Sequence, residues 1–155
     1  MKRKQRPTAK VRLDGDPILK AICEPISPDE DIRHITRDMI YILANSKHGV
    51  GLSANQAGYA KRIIVVKEIP GAVYTVMINP EFSDALPNIL PSKQVEGCLS
   101  YPGKYVEVAR HRKINVSYET ENNELVTGTL SYMSARIYQH EVDHLNGICI
   151  VGEKG

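Results

Sequence analysis

A chain of 155 residues, 42% hydrophobic and 25% charged, suits one soluble globular domain with a single sizeable core. No apolar run approaches the roughly 18 residues of a membrane span, and no apolar segment follows the basic start "MKRKQRPTAK", which argues against a secretory signal. Three cysteines, an odd number, make a disulfide framework unexpected and point to a reducing, cytoplasmic setting.

The formal net charge is +2, yet residues 1–12 hold six Lys/Arg and no acid; the remainder has 14 basic against 18 acidic residues. The basic excess is therefore a tail. Residues 1–10 read as a solvated, disordered segment, with contact to an anionic partner such as RNA as the alternative, and residues 11–155 read as one domain. No aromatic-rich basic motif marks a dedicated nucleic-acid module, so no specific DNA binding is expected.

The first element is a helix in "SPDEDIRHITRDMIYILANSKHG". Ser27 is placed to cap it, Pro28 to open it and Glu30 to complete a capping box. Ile32, Ile35, Met39 and Leu43 then recur at helical spacing as far as about Ser46, with Gly49 ending the segment. Next comes "HGVGLSANQAG", residues 48–58, where Gly49, Gly51 and Gly58 allow close backbone approach. No Lys-Ser/Thr follows, so a phosphate loop is not supported. Gln56, among small residues, is either a structural glutamine or a hydrogen-bond donor to an oxyanion.

"RIIVVKE" and "VYTVMINP" read as strands, and "KINVSYETENNELVTGTL" as a hairpin turning at Asn122-Asn123. A second helix is expected from about Thr129 to Asn146, stopped by Gly147. On it Leu130, Met133, Ile137, His140, Glu141 and His144 fall on or near one face, which turns the histidines inward against the sheet. An early helix, several strands and a late helix predict an α+β fold.

His140, Glu141 and His144 form a His-Glu-x-x-His pattern in "IYQHEVDHLNG". Imidazoles four residues apart share a helix face and can grip one metal ion. The pattern that continues to a third histidine fails here, because Ile150 stands where it is needed. After His144 only Cys149 and Glu153 remain as ligands. Cys149, in the apolar "GICIV", reads as a small buried hydrophobe, and Glu153 lies in a tail. Upstream stand Cys23, Cys98, His34, His48 and His111. Cys98 is favoured, because "QVEGCLSYPG" sets it in a tight, irregular backbone able to hold a thiolate toward a metal. A Cys/His/His set leaves a fourth position open, the arrangement of a catalytic site.

Three ordered motifs, "GVGLSANQ" (49–56), "EGCLS" (96–100) and "QHEVDHL" (139–145), with "INPE" between the first two, resemble those of peptide deformylases. The resemblance covers about residues 11–150. Ser53 departs from the alanine usual in the first motif, a small change. The resemblance implies mixed or antiparallel sheets around a central metal-binding helix, with an N-terminal helix, in a monomeric catalytic domain. It implies Cys98, His140 and His144 as metal ligands and Glu141 as general base and then acid. Gln56 and the Leu99 backbone N–H become the oxyanion donors. Gly49, Val50, Gly51, Leu52, Glu96, Gly97, Tyr105, Arg136 and Ile137 would lie around the methionine side chain of a formyl-Met nascent peptide, although Tyr105 and Arg136 depart from typical members. The implied metal is Fe2+, with Ni2+, Co2+ or Zn2+ as alternatives. Many bacterial members carry a further C-terminal helix implicated in ribosome docking. This sequence stops at "ICIVGEKG", like short bacteriophage versions, so retained chemistry with weak ribosome contact is expected. The rival readings are a small metallopeptidase and a non-catalytic binder of formylated N-termini or of metal; the intact Glu141 argues against a binder.

Overall fold

The structure, a computed structural model, describes residues 9–68 and 73–151; most of the basic tail and Glu153 lie outside the described residues. At its centre two strands pair antiparallel, β2 (Ile63–Glu68) and β3 (Val73–Asp84), with Ile64 opposite Met77 and Val65 opposite Val76. Strand side chains alternate between faces. Ile63, Val65, Val76 and Ile78 pack with the first helix, α1 (Arg33–Ala44), through its Ile35, Met39, Ile42 and Leu43. Ile64 and Met77 point the other way, toward the second helix, α2 (Tyr132–Leu145), and meet Ala135, Tyr138, Val142 and Leu145. Both faces are covered, which is why "IIVV" is an unbroken apolar run.

The sheet has five strands in the order β1-β2-β3-β6-β7, adding β1 (Gly51–Ser53), β6 (Lys113–Glu119) and β7 (Leu125–Ser131). Its strand pairings are all antiparallel, and the α+β expectation holds. The β6–β7 hairpin turns at Asn122-Asn123, where Asn123 takes a left-handed φ of 61°. Tyr138 is buried whole because its hydroxyl donates to the Glu81 carbonyl at 2.9 Å, with the Ser117 carbonyl also in reach at 3.1 Å. A separate two-stranded sheet pairs β4 (Ser92–Gly97) with β5 (Tyr105–Arg110).

Both helix starts differ from expectation. Ser27 does not cap α1: its carbonyl accepts from Glu30 N–H at 3.1 Å in a turn, and the Glu30 carboxylate pairs with Lys61 at 3.2 Å. The Asn79 side chain meanwhile holds both Ile26 backbone groups, at 2.8 and 2.9 Å. These long-range bonds win over the local capping box, and the helix begins only after Asp31 accepts from Arg33 N–H at 3.1 Å. Helix α2 likewise starts at Tyr132, not Thr129, because β7 stays paired to β6 as far as Ser131. Leu130 is thus a strand residue, and Met133, expected on the inward face, is 60% exposed. The inward face of α2 is Ala135, Tyr138, Val142 and Leu145.

The strand-to-helix corner rests on Tyr132, at φ 53° and 84% exposed. A side chain there costs roughly 1–2 kcal/mol that glycine does not incur, less glycine's greater chain entropy. Tyr132→Gly is therefore expected to stabilise the fold by about 0.5–1 kcal/mol, seen as a Tm rise of about 1–4 °C. An unchanged or lowered Tm would show that this corner carries no strain.

Candidate metal centre

Cys98 follows directly on β4, and its carbonyl accepts from Tyr101 N–H at 3.0 Å, closing a tight turn that presents the thiol. His140 and His144 stand one turn apart on α2. Cys98 Sγ lies 3.3 Å from His144 Nε2, and the two Nε2 atoms are 3.2 Å apart. All three ligand atoms fall within 4.8 Å of one another. Two nitrogens each about 2 Å from a tetrahedral ion stand roughly 3.3 Å apart, so this spacing suits one shared divalent cation. The other candidates lie elsewhere: His34 stacks edge-on against Tyr59, His48 is exposed, His111 pairs with Asp84, and Cys23 is in the core beside Ile64.

Each imidazole is held from behind. His140 Nδ1 meets Glu96 Oε1 at 2.8 Å. His144 Nδ1 faces Cys149 Sγ at 3.8 Å, and the His144 carbonyl accepts from Asn55 Nδ2 at 2.6 Å. Such partners fix the ring and its tautomer so that Nε2 is the ligand atom. Cys149 is buried, as its apolar surroundings indicated, but it also belongs to this outer layer. Burial opposes a charge on His140, but Glu141, Cys98 and Glu96 outweigh it and lift its pKa to about 10. Burial and the charge of His140 push His144 down to about 3. A metal at the two Nε2 atoms would displace the proton held by His140.

Glu96 is the hub of a buried charge cluster. Arg110 grips it with two nitrogens at 3.0 and 2.9 Å and reaches on to Asp143, while Arg136 Nη1 bonds its second oxygen. Burial raises the Glu96 pKa, but the bonds from His140 and Arg110 outweigh it and hold the carboxyl well below the usual carboxylate range.

Glu141, between the histidines, is 4% exposed, and its Oε1 is the one buried side-chain oxygen or nitrogen among the described residues without a hydrogen-bond partner. Burial lifts its pKa to about 7, against the pull of His140 and Arg110. A carboxyl poised near neutrality suits proton transfer. Gly51 makes room for it: a Cβ there would stand 2.7 Å from Glu141 Oε2 and 3.0 Å from Ile137 Cγ2. Gly51→Ala is therefore expected to displace this carboxylate, leaving metal content unchanged while turnover falls about 10²-fold. Unchanged turnover would show that the Glu141 position is not critical.

Gln56 is locked. Its Oε1 accepts from Ser53 N–H at 3.0 Å, while the Ser53 hydroxyl donates to Asn55 Oδ1 at 2.7 Å; this aims Gln56 Nε2 at Cys98 Sγ (3.4 Å) and Ser100 Oγ (3.0 Å). Leu99 is the next turn residue after Cys98, and its side chain would touch a Cβ at Gly49. Of the remaining residues, Val50 is half-buried, and Leu52 points into the α1 core. Tyr105 is 74% exposed, its ring lying over Gly97. Arg136 and Glu96 bond each other rather than standing free. Sequence reasoning missed Arg110, Asn55, Ser53 and Ser100 as partners of the site. Ser100 and Ser53 sat inside quoted motifs, whereas nothing local singled out Arg110.

The family model for polypeptide deformylase matches residues 8–153. The chain belongs to the polypeptide deformylase family. It is 37% identical over 143 residues to a peptide deformylase of Thermotoga neapolitana, covering 92% of this chain and 84% of the relative. The crystal structure of the Thermotoga maritima peptide deformylase superimposes with a TM-score of 0.81 at 36% identity, covering 94% of this chain and 97% of that one. A peptide deformylase (PDF) from a Vibrio parahaemolyticus bacteriophage, in complex with actinonin, gives 0.81 at 34% identity, covering 91% and 99%. The chain is thus a deformylase by family, an amide hydrolase of the metal-dependent kind, with a Cys/His/His group able to hold the ion. No helix among its described residues is long and apolar enough to cross a membrane.

Proposed function

We infer that the chain removes the formyl group from N-formylmethionyl nascent peptides and releases formate, using Cys98, His140 and His144 as ligands and Glu141 as its proton carrier. The observation that carries this is a buried carboxylate with an unpartnered oxygen, set between two histidines whose Nε2 atoms converge with a thiol. The donor set fits a divalent ion. Bound there, such an ion would supply Lewis-acid polarisation of the formyl oxygen and acidify a water toward neutral pH. Glu141 takes the proton of the attacking water and passes it to the departing amine nitrogen, which is otherwise a poor leaving group. Gln56 Nε2 and Leu99 N–H donate to the negative oxygen of the tetrahedral intermediate. The fixed Oε1 of Gln56 keeps its amide from turning away.

Gly49, Val50, Gly51 and Ile137 line one side of the methionine side chain in this reading, and Gly97 with the Tyr105 ring the other. The native ion is Fe2+, since the family resemblance points to it and a thiolate with two imidazoles accepts it; Ni2+, Co2+ and Zn2+ are the substitutes. The setting is the cytoplasm of a translating cell, with the chain acting as a monomer. The basic tail, residues 1–10, gives a weak ribosome contact that falls steeply with salt in co-sedimentation.

The test is product analysis. Chain loaded anaerobically with Fe2+ or Ni2+ is incubated with formyl-Met-Ala-Ser. Formate with intact Met-Ala-Ser supports the reading; free amino acids would show a metallopeptidase, and no product with tight substrate binding would show a binder.

A further inference from the structure

The sheet that delivers Cys98 is isolated. Among the described residues β4 and β5 pair only with each other, and they expose Val95 and Tyr105 at 65% and 74%. A lone two-stranded hairpin is marginal by itself. It is attached to α2, which carries both histidines, through the buried charge cluster and, just past β5, through the Gln139 side chain, which bonds both backbone groups of His111 at 2.9 and 3.0 Å; Arg136 is the member of the cluster that reaches furthest along the hairpin. Arg136 is 6% exposed. Its Nη1 donates to Glu96 Oε2 and, at 3.0 Å, to the Val108 carbonyl; its Nη2 donates to the Ser92 carbonyl at 2.7 Å. One guanidinium thus ties the start of β4, its end and the middle of β5 to the helix turn before His140.

The bond to Glu96 has a second consequence. Oε1 serves His140 Nδ1 and Arg110 Nη2, while Oε2 serves Arg110 Nε and Arg136 Nη1. A carboxylate has about four acceptor sites, and here each has a donor. Arg136 bonds the oxygen that His140 does not, which leaves the carboxylate no reason to rotate away from the imidazole. Cys98 lies two residues beyond Glu96, so the same bonds fix the thiol relative to both Nε2 atoms.

We propose that Arg136 is a positioning residue of the metal centre: through Glu96 and the β4–β5 backbone it sets the distance between Cys98 and the histidine pair, and with it how tightly the ion is retained. This rests on Cys98, His140 and His144 being the ligands.

The experiment uses the full chain loaded with Co2+, comparing wild type, Arg136→Met and Arg136→Lys. The readouts are the visible Co2+ absorption band, the rate of Co2+ loss into excess chelator well below Tm, and the Tm of the metal-free protein. Arg136→Met is expected to shift the band and to speed Co2+ loss about tenfold, the scale on which an outer-layer partner acts. Arg136→Lys keeps the charge but loses the fork, and falls between the two; it also serves if the Met variant does not fold. A lowered Tm with an unchanged band and unchanged Co2+ loss would make Arg136 a merely structural residue and overturn the proposal. Wild type that binds no Co2+ would instead overturn the ligand assignment on which it stands.

Discussion

Glu141→Ala is expected to retain its metal and to lose about 10³-fold or more in kcat/KM on formyl-Met-Ala-Ser, toward the upper range for one acid–base group. Glu141 is not among the three converging ligand atoms, so removing it takes away a proton carrier and leaves the ion's grip intact. The same role fixes a pH dependence. The base must be ionised, so kcat/KM falls as pH drops through the Glu141 pKa, about 7 in the metal-free protein because burial disfavours the carboxylate. A dication beside the group favours the carboxylate, so the acid limb of the loaded enzyme lies below that value. A pH–rate profile checks it, and loss of bound metal from the Ala variant would mean that Glu141 is misassigned.

Cys98→Ser is expected to act on the opposite quantity. An alcohol is a poor replacement for a soft thiolate, so metal affinity should fall by more than the roughly 10–100-fold that loss of an outer partner costs. Turnover should fall with metal occupancy and recover in part at high metal concentration. The fold should persist, since Cys98 is only half-buried and the core clusters around α1 and α2 do not depend on it. Unchanged metal content and rate would remove Cys98 from the site.

What could be read in the sequence was what is locally encoded. The histidine spacing on a helix and the irregular backbone around Cys98 follow from residues within a few positions of one another. The structure brings those residues together. The alternation of β6 and the Asn122-Asn123 turn are likewise local. What escaped reading depends on partners far apart in the chain. The α1 start moved because Asn79 and Lys61 claim the segment that a capping box would have used. Strand β1, three residues beginning with a glycine, is too short to announce itself, although it seats Gly51 against Glu141. Glu96 and Arg136 were placed by resemblance around the methionine side chain. Their fourfold hydrogen bonding with Arg110 and His140 joins β4, β5 and α2, and no local pattern encodes it.

The buried cluster also shows why the site tolerates charge inside the protein. Glu96 pairs with Arg110 and Arg136, Asp143 pairs with Arg110, and with His140 every Glu96 acceptor site is used. An ion pair left incomplete at such a place costs several kcal/mol, roughly 3–5 when one partner is removed. The cluster is therefore suited to holding a geometry more than to adding net stability.

The most direct test of the metal centre is the X-ray absorption of the chain loaded with one equivalent of Zn2+. With Cys98, His140 and His144 as ligands, one sulfur is expected at about 2.3 Å and two imidazole nitrogens at about 2.0–2.1 Å, with the sulfur shell gone in Cys98→Ser. A shell of nitrogen and oxygen alone, or a sulfur that survives that substitution, would contradict it.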